Sequence, residues 1–89
     1  LAADPKSATA HGSLGRVEFE RGRYVVAIRH AQAAVRLAPR DGAHRLLLGD
    51  AMYKSYRYAD ALAQYERAAQ LGHAEAGARV AKAKAKLAQ

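Results

Sequence analysis

The sequence has no cysteine and no tryptophan, only 2 prolines, and a single methionine and phenylalanine. Without cysteine, neither a disulfide nor a thiolate metal site can support the chain, and its redox compartment leaves no mark. No run of about 18 apolar residues occurs, so no membrane-spanning helix is expected. No signal peptide is visible. Acidic residues are scarce as well: 8 Asp and Glu stand against 15 Lys and Arg, a formal net charge of +7. That balance favours acidic partners and attraction to polyanions, and says nothing about fold. Abundant alanine with little proline points to an all-helical chain whose helices touch through small residues.

The residues that carry chemistry are thinly spread. His11, His30, His44 and His73 are scattered and form no His-x-x-x-His pair, so no metal site is expected. Asp50 and Asp60 do not fall on one helix face, and Ser13 and Ser55 have no evident base. There is no glycine-rich phosphate loop after a strand. Neither catalysis nor a cofactor is expected. At 89 residues the chain makes one small domain, and such a chain buries about 60–65% of the surface it exposes unfolded. It starts at Leu1 rather than Met, so a piece of a longer protein is expected.

What the sequence does contain is a repeat. The stretch from Leu48 to Leu62 returns at an offset of 34 residues without a gap. Leu48 falls on Leu14, Gly49 on Gly15, Tyr53 on Phe19, Arg57 on Arg23, Tyr58 on Tyr24 and Ala61 on Ala27. Further on, Ala68 falls on Ala34 and Leu71 on Leu37. A period in the range of about 20–50 residues marks a repeat architecture, in which each unit buries its apolar face against its neighbours.

Taken in order, residues 1–7 read as the tail of a preceding repeat or a linker, with a stop at Pro5. A helix follows from Ala8 to about Glu20, with Ser7 as its N-cap and Leu14, Val17 and Phe19 as its main apolar residues. Gly22 can take the left-handed conformation that closes it. Tyr24 to Leu37 is the second helix, with Tyr24, Ala27, Ile28, Ala31, Ala34, Val35 and Ala38 on its buried face. Pro39 ends it, and Asp41 caps the next. Gly42 to Lys54 and Tyr58 to Leu71 repeat the pair, with Tyr56 in place of Gly22 and Gly72 doing the work of Pro39. Ala76 to Leu87 is a fifth, incomplete unit. Shifted by the period, Lys82 falls on Leu48 and Lys86 on Met52, while Ala78, Ala81 and Ala85 are expected to face the previous pair. A polar outer face suits the end unit of a stack.

These residues resemble the tetratricopeptide repeat. The resemblance rests on Leu14, Gly15, Gly22, Tyr24, Ala27, Ala34, Leu37 and Pro39, then Leu48, Gly49, Tyr58, Ala61, Tyr65, Ala68 and Leu71. It implies an α-solenoid of two helix pairs, residues 8–41 and 42–75, with residues 76–89 as a capping helix. His11 and Arg45 stand where the family often has tryptophan, and Glu18 and Met52 where tyrosine is usual. In this family the first helix of each pair lines a concave groove that holds a peptide or a partner helix. The matching face here has an apolar rung of Phe19, Tyr53 and Leu87 and a second of Gly12, Leu46 and Val80. Arg16, Asp50 and Lys84 form a charged rung, with Glu20 and Lys54 beside it. The basic clamp that some members use for a C-terminal carboxylate is not expected, because of its places only Arg16 is basic. The resemblance thus implies a protein–protein interaction module and scaffold for a partner with an acidic or amphipathic segment. Nucleic-acid or polyanion binding through Arg79, Lys82, Lys84 and Lys86 is the alternative, although no aromatic residue interleaves with those lysines. Self-association through an uncovered end face is a further expectation. A cytoplasmic setting and a bacterial, GC-rich source fit the missing targeting segment and the plentiful arginine and alanine.

Overall fold

Helices begin and end where something satisfies the backbone groups left free at their ends. The computed structural model describes residues 6–89, and the proposed stop at Pro5 lies outside them. α1 spans Ala8–Glu20, α2 Tyr24–Leu37, α3 Gly42–Lys54, α4 Tyr58–Gln70 and α5 Ala76–Leu87. Among the described residues there is no strand. Ser7 Oγ accepts from the Ala10 amide at 3.1 Å, and Asp41 Oδ1 accepts from the Ala43 amide at 3.0 Å. Both are the caps expected from the sequence.

Three helix ends close in the same way. The Arg23 amide donates to the Glu18 carbonyl at 2.9 Å, Arg57 to Met52 at 2.9 Å and His73 to Ala68 at 3.1 Å. Each closure needs a left-handed residue just before the donor. Those residues are Gly22 at φ 77°, Tyr56 at φ 65° and Gly72 at φ 87°. A Cβ added at Gly22 would meet nothing within 4 Å, so only backbone strain opposes a side chain there. Gly22→Ala is therefore expected to destabilise by about 1 kcal/mol, lowering the thermal midpoint by roughly 4–8 °C. An unchanged midpoint would mean that the turn relaxes to another geometry.

The helices stack in chain order, each against the next, with α1 also touching α3. The result is an elongated body of 43 × 26 × 16 Å. α3 lies at its centre and buries Leu46, Leu47, Leu48, Gly49, Ala51 and Met52. Around it pack alanines that are fully buried: Ala27, Ala31, Ala61, Ala68 and Ala83. These small residues allow backbones to approach closely. The repeat also recurs in ring contacts: Phe19 meets Tyr24 edge-on at 5.6 Å, and the equivalent Tyr53 meets Tyr58 at 5.0 Å.

One expectation about a face changes, and α1 adds a detail of its own. On α5 the buried residues are Ala76 and Ala83, with Val80 half-buried, whereas Ala78, Ala81 and Ala85 are exposed. Three- and four-residue spacing puts Ala76, Val80 and Ala83 on one stripe, and the helix turns that stripe inward. On α1, Leu14 and Val17 are 38% and 45% exposed, and the buried positions are Gly12 and Gly15. α1 approaches its neighbours through its glycines, which leaves Leu14 and Val17 partly exposed.

Candidate partner groove

α1, α3 and α5 bring their side chains to one concave surface. Arg16 and Phe19 from α1, Asp50, Tyr53 and Lys54 from α3, Tyr65 from α4, and Arg79 and Lys82 from α5 line a cleft of about 240 Å³. A larger, shallower hollow of about 440 Å³ lies beside it, lined by Thr9, Gly12, Ser13, Arg16, Val17, Ala43, His44 and Leu47. Arg16 borders both, so they form one groove. The smaller cleft holds the aromatic rings and most of the charge.

Asp50 organises the cleft floor. The Tyr65 hydroxyl donates to its Oδ1 at 2.6 Å, and Arg79 Nε lies 3.2 Å from the same oxygen. Tyr65 is 2% exposed. Burial first, and then the hydrogen bond to Asp50, push its phenol pKa far above the usual range. Arg79 Nη1 is buried with no hydrogen-bond partner among the described residues. Above this floor, Lys82 Nζ sits 4.9 Å from the centre of the Tyr53 ring. Lys86 Nζ sits 5.8 Å from that of Tyr58. These are cation–π distances, and aromatic rings do therefore meet the basic series of α5. The sequence hid this because the rings come from α3 and α4.

Of the residues expected in the groove, Arg16, Phe19, Asp50, Tyr53 and Lys54 share the cleft. Leu46 does not reach it: at 6% exposure it belongs to the core, and half-buried Val80 packs against the same core. Glu20 and Lys84 are exposed and do not line the cleft. Leu87 lines a separate notch of about 320 Å³ with Tyr56, Arg57, Tyr58, Ala59 and Asp60. The cause is a stagger between successive first helices. Asp50 meets Arg79 and Tyr53 meets Lys82, so positions related by the 34-residue period are not the ones that face each other. Tyr65, Arg79 and Lys82 are the cleft residues that the period alone misses.

The histidines are also less scattered than they read. His11 and His30 bring their rings to 5.7 Å, with the two Nδ1 atoms 3.4 Å apart. Among the described residues there is no group of three or more His, Cys, Asp or Glu able to hold a metal ion. No described helix is long and apolar enough to cross a membrane.

No curated protein matches the chain. A family profile described as tetratricopeptide repeat matches residues 1–42 and again residues 26–85. Repeats of this kind are generally protein–protein interaction modules and typically non-catalytic. The match spans nearly all of the chain and agrees with its paired helices, its left-handed closures and its 34-residue offset: the chain belongs to the tetratricopeptide repeat family.

Proposed function

We propose that the domain docks a peptide or helix of another protein, or of its own parent chain, in the groove of α1, α3 and α5, and so acts as a scaffold or adaptor. The observation that carries this reading is the convergence of Phe19 and Tyr53, from successive repeats, on one cleft rimmed by Arg16, Lys54 and Lys82. Both rings are half-buried, so each offers an apolar surface without being part of the sealed core. Burying one large apolar side chain contributes about 1.5–3 kcal/mol, and an exposed ion pair about 0–1 kcal/mol. The rings therefore set affinity, and the cations set partner sign and approach rate. Asp50 is matched internally by Arg79 and Tyr65, which leaves the rim basic. An acidic, amphipathic segment fits such a groove.

The test is capture from nuclease-treated lysate of the source organism, using the domain and a Phe19→Ala/Tyr53→Ala variant that keeps its helical circular dichroism. A protein retained by the parent and lost by the variant is the expected result. Equal capture by both would move the site out of the groove. Loss of all capture once nucleic acid is removed would favour polyanion binding, which should weaken by roughly one power of salt concentration per phosphate contacted.

A further inference from the structure

We infer that Tyr56 is a partner-contact residue, and that the notch it forms with Tyr58 and Leu87 seats an apolar side chain of an acidic protein segment leaving the groove. This rests on the groove reading and extends it beyond the concave face.

The first ground is backbone geometry. Tyr56 has φ 65°, in the left-handed region where its counterparts are Gly22 and Gly72. A side chain there is strained, and strain of this kind persists where the surroundings or a function hold it. Burial does not account for it, since Tyr56 is 79% exposed. Its ring meets Tyr58 edge-on at 6.3 Å and otherwise faces outward.

The second ground is the place itself. The notch of about 320 Å³ lies between the α3–α4 turn and the last turn of α5, with Leu87 48% exposed on its wall. It neighbours the cleft across one ring contact: Tyr53, which lines the cleft, packs edge-on against Tyr58, which lines the notch. Lys82 and Lys86 stand over those two rings in turn, marking a basic path along the way. Arg57 is held by Asp60 at 2.9 Å and adds little to the rim charge.

Charge complementarity therefore calls for carboxylates beside an apolar anchor. A single-stranded nucleic acid fits less well. The planes of Tyr53 and Tyr58 meet at 69° and those of Tyr56 and Tyr58 at 81°, so no parallel platform is built for successive bases.

The experiment is fluorescence anisotropy on the whole chain with three labelled probes: a peptide alternating Glu and Leu, the same peptide with Lys for Glu, and oligo-dT. The variants are Tyr56→Gly and Phe19→Ala. The acidic peptide is expected to bind, and Tyr56→Gly to weaken it by roughly tenfold, as for an aromatic contact residue. The thermal midpoint of Tyr56→Gly should stay level or rise, because glycine accepts the left-handed turn. A merely structural tyrosine would instead lose stability. Unchanged peptide affinity in Tyr56→Gly, with a loss in Phe19→Ala, would overturn the notch and leave the groove standing. No binding of the acidic peptide by the parent would overturn both. Tighter binding of oligo-dT than of the acidic peptide, weakened by Tyr56→Gly, would assign the surface to nucleic acid instead.

Discussion

Gly49→Ala is expected to destabilise the domain by about 2–3 kcal/mol, while Gly12→Ala stays within about 1 kcal/mol of the parent. The two sites look alike by distance. A Cβ at Gly49 would lie 2.6 Å from Tyr65 Cε1, and a Cβ at Gly12 would lie 2.7 Å from His44 Cε1. They differ in what can move. The His44 ring is the end of a flexible side chain, half-buried at the groove edge, and its one polar contact there is to exposed Asp41 at 3.4 Å. Tyr65 is sealed at 2% exposure, and its hydroxyl is tied to Asp50. The Ala61 carbonyl, 3.3 Å from the added Cβ, closes the other side. Relieving the clash at Gly49 must shift the ring or part α3 from α4. Overpacking of that kind costs about 1–3 kcal/mol, and a disturbed buried hydrogen bond about 1–3 kcal/mol more. The better helix propensity of alanine returns only about 1 kcal/mol. At Gly12 the same propensity gain largely offsets a small rearrangement. For a domain of this size the loss at Gly49 corresponds to a fall in melting temperature of roughly 10–20 °C. Equal midpoints for the two variants would show that Tyr65 is not fixed as described.

Gly49 also shows why this fold was readable. A gapless 34-residue offset is a property of the chain itself, and small residues at Gly15 and Gly49, Ala27 and Ala61, and Ala34 and Ala68 follow from backbones that touch. Helix ends were legible for the same reason: Ser7, Asp41, Gly22 and Gly72 satisfy groups within a few residues of themselves. What the period cannot encode is how one helix is turned and staggered against another. That is why Lys84 and Leu87 read as groove residues while Arg79 and Lys82 enter the cleft. Nor does the period encode that α1 turns its glycines inward and leaves Leu14 and Val17 partly exposed. The Asp50–Tyr65 and His11–His30 contacts join different helices, and no local spacing announces them.

The Asp50–Tyr65 contact predicts a pH dependence with a definite sign. Raising the pH above about 10, where an unperturbed phenol ionises, is expected to destabilise the domain, and Tyr65→Phe to blunt that effect. In the folded state, burial and then the bond to Asp50 hold the Tyr65 proton far above that point, with Arg79 opposing only in part. Below pH 10 both states keep the proton, and this contribution to stability is constant. Above it only the unfolded chain releases the proton, so stability falls by about 1.4 kcal/mol per pH unit. Between pH 10 and 12 that amounts to roughly 2.7 kcal/mol. Tyr65→Phe loses the bond to Asp50, about 0.5–1.5 kcal/mol. Asp50 keeps Arg79 at 3.2 Å, so its charge is not stranded. The variant is therefore the weaker protein at pH 8. It has no phenol at this position to ionise, and groups common to both proteins cancel in the difference. Urea unfolding followed by circular dichroism should show the two stabilities converging above pH 10 and crossing by about pH 12. Curves that stay parallel over that range would mean that the Tyr65 hydroxyl reaches water in the folded protein, and that the bond closing the floor of the cleft is not what holds Asp50 in place.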